Sequence, residues 1–180
     1  MRKWTHAELL ARQIAAGSQV KLPFCLLANN IRSLYNIGSL FRTADAAGVE
    51  KIWLCGITGI PPSNRIAKTA LDADKVVPWE YRKNAATLVR ELREQGYETV
   101  MLEQTVESIS YQDYLPKGPV CLIVGNEIEG VGEDLLPHCD RAIEIEMAGF
   151  KNSLNVTVAF GVVAYHIRQQ LLAGVTKSHG

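Results

Sequence analysis

The chain has 180 residues, 47% of them hydrophobic, with 19 basic and 19 acidic side chains and a pI of about 6.9. That length can bury one sizeable core and requires no second domain, so a single domain over 1–180 is expected. The longest uncharged apolar-leaning run, 152–165, is too short and too polar for a bilayer. The N-terminus also lacks the apolar stretch of a signal peptide, so a cytoplasmic, non-membrane protein is expected.

Charge is unevenly distributed along the chain. Positions 1–44 carry Arg2, Lys3, Arg12, Lys21, Arg32 and Arg42 against Glu8 alone, whereas 103–150 are acidic apart from Lys117 and Arg141. A basic front and an acidic back can present a phosphate-binding face without a high pI. Cys25, Cys55 and Cys121 sit in apolar strand-like runs, and with Cys139 they read as reduced thiols. His6, His138, His166 and His179 form no pair at ligand spacing, so no metal is expected.

In chain order, Thr5-His6-Ala7-Glu8 has capping-box form. Leu9, Leu10, Ile14 and Ala15 then recur at helical spacing until Gly17, predicting an amphipathic helix in an N-terminal extension, 1–22. A buried strand is predicted at 24–28 and a loop at 29–35. A helix follows, with Asn36 as a plausible N-cap and Gly48 as its stop. Further strands are predicted at 51–55, around Val76 and Val77, and at 97–103, 120–124 and 142–147. Helices fit at 65–71, 84–95 and 153–173, and 59–63, with two prolines, is a loop.

Strands alternating with helices imply an α/β fold, a mostly parallel sheet flanked by helices on both faces. The last helix is apolar nearly all round, so one face packs on the sheet and another on a further body, of which a partner subunit is the simplest.

Polar groups at the ends of otherwise apolar segments are where α/β proteins keep their chemistry. Three blocks have that form: Asn36-Ile37-Gly38-Ser39-Leu40-Phe41-Arg42; Leu122-Ile123-Val124-Gly125-Asn126-Glu127; and Ile145-Glu146-Met147-Ala148-Gly149-Phe150-Lys151-Asn152-Ser153-Leu154-Asn155. In this order they resemble the motifs of the SpoU (TrmH) class of SPOUT methyltransferases over about 24–171. That resemblance implies transfer of a methyl group from S-adenosylmethionine to a ribose 2′-hydroxyl of RNA. It also implies a C-terminal trefoil knot over about 120–173 and a homodimer with its active site near the interface.

Carried onto this chain, the resemblance makes Arg42, Asn36, Glu127, Ser153 and Asn155 the catalytic set. Gly125, Ile145 and Leu154 match cofactor-contacting places, and Leu102 and Glu103 are further candidates. Read without it, Asn36, Ser153 and Asn155 are helix caps, Arg42 is a surface arginine and Glu127 a solvated loop acid. Arg42 fits an anchor for a phosphate and a stabiliser of a developing alkoxide better than a base, since a guanidinium keeps its proton.

Two residues depart from the family pattern: Glu146, where relatives often have proline, and Asp72, where they often have glycine. Gly125, Gly130 and Gly132 lack a following Gly-Lys-Ser/Thr, which argues against a nucleoside triphosphate. With no separate RNA-binding domain before the catalytic one, tRNA is favoured over rRNA. A non-catalytic RNA-binding relative is the alternative, although a pure binding module needs no such residue set. A small-molecule enzyme on a doubly wound sheet would carry a glycine fingerprint that is missing after the first strand.

Overall fold

The computed structural model describes residues 1–15, 21–126 and 128–177. The N-terminal capping box forms: the Glu8 N–H donates to Thr5 Oγ1 at 3.3 Å, and the Thr5 N–H donates to Glu8 Oε2 at 2.7 Å. It opens α1 (His6–Ala15), whose Leu9, Leu10 and Ile14 stay exposed. Arg2 grips the Glu8 carboxylate through both terminal nitrogens, at 2.9 and 2.7 Å, which neutralises part of the basic N-terminal charge within this segment. The expected stop at Gly17 lies outside the described residues.

The central strands are β1 (Leu22–Asn29) and β6 (Val120–Val124), which pair in parallel with Cys25 opposite Cys121. Both are apolar at nearly every position, because a parallel strand inside a doubly covered sheet buries both faces. Phe24, Leu26 and Ala28 of β1 face one core with Leu122 and Val124. Cys25 and Leu27 face the other, with Cys121 and Ile123.

The remaining elements are α2 (Leu34–Ala47), β2 (Val49–Cys55), α3 (Asn64–Ala70), α4 (Ala73–Val76), β3 (Trp79–Arg82), α5 (Ala85–Glu94), β4 (Glu98–Leu102), β5 (Ile109–Ser110), β7 (Arg141–Glu144) and α6 (Val156–Lys177). Seven strands form one all-parallel sheet in the order β3-β2-β1-β6-β4-β7-β5. Helices α2, α3 and α6 cover one face through Phe41, Ile66 and Phe160. Helix α5 covers the other through Leu88, Val89 and Leu92. The all-round apolar character of α6 has the predicted division: Phe160, Val163, Ala164 and Ile167 are buried, while Val158, Val162, Tyr165 and Leu172 are exposed.

Three local expectations are corrected. Ser33, not Asn36, caps α2: its Oγ accepts from the Asn36 N–H at 3.3 Å, which places Asn36 in the first helical turn. The last helix starts at Val156, with Asn155 before it, rather than at Ser153. Val76 and Val77 are not a strand. The Val77 N–H donates to the Ala73 carbonyl at 2.9 Å, closing α4 so that buried Ala73 and Val77 share one face, and the strand begins at Trp79.

The stop at Gly48 has the expected left-handed backbone, φ 73°. Leu71 and Asp72, between α3 and α4, also have positive φ, 50° and 70°. Among the described residues no helix is long and apolar enough to cross a membrane.

Candidate active site

The C-terminal ends of β4, β6 and β7 converge beside the start of α6 on a cavity of about 370 Å³. This is the edge at which parallel α/β sheets place ligands. Leu102, Glu103, Gly125, Ile145, Ser153 and Leu154, drawn from four separate stretches of sequence, all line it.

Close backbone approach builds the floor. A Cβ at Gly125 would collide with the Gly130 carbonyl and the Val131 nitrogen, so only glycine lets the chain fold back here. The return is held by the Gly130 N–H donating to the Asn126 carbonyl at 2.9 Å. Asn126 also fixes the turn itself, its Oδ1 accepting from the Ile128 and Glu129 N–H groups at 2.9 Å each. Glu103 clasps the far side: its Oε2 accepts from the Val131 N–H at 2.9 Å and its Oε1 from the Gln104 N–H at 3.0 Å. Gln104 Nε2 then donates to the Asn152 carbonyl at 2.8 Å, tying β4 to the loop that carries Ser153 and Leu154.

Among the described residues the lining includes Glu103, Glu129 and Glu144 and no Lys, Arg or His. Such a cavity suits a ligand bearing positive charge and an apolar or aromatic body, and repels polyphosphates. The ends of the lining supply that apolar contact through Leu102, Ile145, Met147 and Leu154.

Asn155 is the cap of α6. Its Oδ1 accepts from the Thr157 N–H at 2.9 Å and from the Thr157 hydroxyl at 2.6 Å, and its Nδ2 donates to Asn36 Oδ1 at 3.4 Å. The first and third blocks thus meet through their asparagines. Arg42 is not brought to the cavity within one chain. It lies on the exposed side of α2, without a hydrogen bond or ion pair among the described residues, in a separate open cleft of about 530 Å³ with Lys68 and Tyr165. Glu127 lies outside the described residues.

Sequence reasoning gave no separate role to Asn126, Gln104, Glu129, Glu144, Met147 or Asn152. The signal was available in part, because Gln104 and Glu144 sit at or just past the ends of strands whose neighbours had been singled out. Cys25, Cys55 and Cys121 are buried and all four cysteines are free thiols. Burial pushes the Cys55 thiol up to about 12, with Arg82 opposing, so it is inert as a nucleophile near neutrality.

A parallel sheet with this cavity at its C-terminal edge, bounded by the second and third sequence blocks, defines an α/β protein with a ligand site at its strand ends. The chain belongs to the SpoU rRNA Methylase family, whose model matches residues 23–165. It is 34% identical over 159 residues to the 23S rRNA (guanosine-2′-O-)-methyltransferase RlmB of Vibrio parahaemolyticus. That match takes in 87% of this chain but only 63% of the relative's length. Its structure is similar to a TrmH/SpoU tRNA modifying enzyme of A. aeolicus, with TM-score 0.80 and 25% identity over 94% of this chain and 88% of that one. It is also similar to an AdoMet-bound rRNA methyltransferase of Sinorhizobium meliloti, with TM-score 0.77 and 28% identity over 82% and 56%.

Proposed function

We propose that this chain is an S-adenosylmethionine-dependent RNA ribose 2′-O-methyltransferase of the cytoplasm, acting on rRNA. The observation that carries the reading is the convergence of Leu102, Glu103, Gly125, Ile145, Ser153 and Leu154 on one anionic cavity. S-adenosylmethionine, when bound, supplies an electrophilic methyl group on a positively charged sulfur, which suits a lining of carboxylates without cations. Leu102, Ile145 and Leu154 would pack its apolar surface. The turn around Gly125 and Gly130 would offer backbone groups at close range. Asn155 and Asn36 hold the first and third blocks in register beside it.

The nucleophile is a weakly acidic alcohol, so the protein's task is to position it and favour negative charge on its oxygen. Arg42 serves by gripping an adjacent phosphate and stabilising the 2′-oxygen as its proton leaves to solvent, with Glu127 and Ser153 completing the polar set. Since Arg42 and the cavity are separate within one chain, the reading includes a homodimer in which Arg42 of one copy serves the cavity of the other. The exposed stripe of Val158, Val162, Tyr165 and Leu172 on α6 supports this, because the residues share one helix face. A C-terminal knot over about 120–173 and a single domain belong to the same proposal.

Substrate preference moves from tRNA to rRNA on the RlmB likeness. The tRNA reading stays as the second, favoured by the extent of the A. aeolicus match. In vitro methylation of 23S rRNA and of bulk tRNA, followed by nucleoside mass spectrometry, tests both. A 2′-O-methyl nucleoside from rRNA supports the first reading, one from tRNA alone the second, and methylation of neither counts against the function. Light scattering should give twice the 19.9 kDa chain mass.

A further inference from the structure

The proposed chemistry uses Arg42 but leaves unexplained the cleft in which it stands. Helices α2, α3 and α6 enclose an open trough of about 530 Å³ lined by Ser39, Arg42, Thr43, Lys68, Thr69 and Tyr165, together with Ala46. Two cations from adjoining helices face one depression whose lining contains no carboxylate. Neither Arg42 nor Lys68 makes an ion pair or hydrogen bond among the described residues, and both are exposed. A lysine in the last turn of a short helix also complements the helix dipole, but that role does not call for a second cation opposite it.

The polar groups divide by availability. Ser39 and Thr69 spend their hydroxyl hydrogens on the Tyr35 carbonyl, at 3.1 and 2.8 Å. Among the described residues the Thr43 hydroxyl has no hydrogen-bond partner, so the donors open to a ligand are two cations and one hydroxyl, while Tyr165 belongs to the α6 stripe proposed to meet a second copy. This is the complement of the anionic cavity at the strand ends: one depression repels phosphate and the other attracts it. An open trough admits an extended anion more readily than it encloses a small one, which points to the backbone of a polymer.

We infer that this trough binds a phosphodiester of the RNA substrate, with Lys68 as a positioning residue that sets the backbone's register beside Arg42. The inference rests on the RNA-methylation reading. Lys68 contributes affinity without base specificity, since phosphate contacts position a nucleic acid rather than read its sequence.

The test is fluorescence anisotropy of a labelled RNA hairpin of fixed sequence with the intact protein, over a salt series, for wild type, Lys68→Gln and Lys68→Arg. The expected result is binding weakened several-fold in Lys68→Gln. The slope of log affinity against log salt should fall by about one, Lys68→Arg should restore it, and S-adenosylmethionine affinity by calorimetry should not change. Unchanged hairpin affinity and slope in Lys68→Gln, with wild type binding normally, overturns the assignment and leaves the RNA reading standing. A wild type that does not bind the hairpin even at low salt overturns both. Loss of the dimer in Lys68→Gln, at unchanged RNA affinity, would instead assign the trough to contact with a second copy and overturn the inference.

Discussion

Asn155 uses both ends of its side-chain amide: Oδ1 caps α6 through Thr157, while Nδ2 donates to Asn36 Oδ1 at 3.4 Å across 119 positions of sequence. One residue therefore starts the last helix and fastens it to the first turn of α2. The two roles are separable by substitution. Asn155→Ala removes both, and the lost cap alone should cost about 1 kcal/mol, or about 2–4 °C in Tm for a chain of this size. Asn155→Asp keeps the acceptor and loses the donor, so it should melt near wild type yet methylate RNA more slowly. Equal activity of wild type and Asn155→Asp would show that the bridge to Asn36 has no part in the site.

Arg42→Ala should lower single-turnover methylation by about 10²–10³, because it removes a charge positioned at the developing anion. The fold and S-adenosylmethionine affinity should be preserved, since Arg42 is exposed and outside the cavity lining. Arg42→Lys should recover little, as an ammonium lacks the planar fork that holds two oxygens together. In mixed dimers, Arg42→Ala chains combined with chains disabled in the cavity should regain one intact site of two, about half the activity of a wild-type dimer. Failure of that complementation would place Arg42 and the cavity it serves in one chain.

Gly125→Ala pushes a methyl group into the Gly130–Val131 backbone, whereas Gly149→Ala meets nothing within 4 Å. Calorimetry should show S-adenosylmethionine binding much reduced in the first and unchanged in the second. Equal affinities in both variants would mean that the turn at Gly125 does not shape the cofactor cavity.

Acid stability should depend on Asp140. Burial opposes its charge, but the Thr99 N–H at 2.9 Å, the Thr99 hydroxyl at 2.7 Å and the Arg93 guanidinium at 2.7 Å outweigh it and hold the carboxyl below its ordinary value of 3.8. A depressed folded pKa contributes stability that is fully present above the unfolded value and is lost as pH falls through the folded one. Asp140→Asn should therefore be less stable than wild type at pH 7, by about 1 kcal/mol given the solvent on one side of the pair. The gap should begin to narrow below about pH 4 and close as pH falls through the lowered folded pKa. Urea titrations at pH 7 and pH 3 that gave the same difference would remove the ionised form of Asp140 from the account.

Leu71 and Asp72 both hold left-handed backbone, a conformation costly for side chains with a Cβ. Leu71 is 60% exposed, so replacing it loses little burial. Leu71→Gly and Asp72→Gly should each raise Tm by a few degrees, from about 1 kcal/mol of relieved strain. Asp72→Gly gives back part of this through its lost contact with Lys75, a fully exposed pair of small worth. Unchanged or lower melting temperatures in both would show that the turn carries no such strain.

Much of this architecture was legible before any coordinates. The unbroken apolar runs at β1 and β6, the capping box at Thr5–Glu8 and the glycine stop at 48 are local signals, because burial on both faces and backbone capping act on neighbouring residues. Those signals suffice for a doubly covered parallel sheet. They failed where local preference conflicts with packing: Val76 and Val77 have strand-like side chains, but the four-residue spacing of Ala73 and Val77 against the core made a helix there.

The three sequence blocks identified the candidate residues, yet spacing along the chain carries no information about which of them touch. Only the tertiary structure set Leu102, Gly125, Ile145 and Leu154 around one cavity, joined Asn36 to Asn155, and sent Arg42 to a different depression alongside Lys68. The reason is geometric: parallel strands far apart in sequence end at the same edge of a sheet, whereas residues six apart on one helix, such as Asn36 and Arg42, point in different directions.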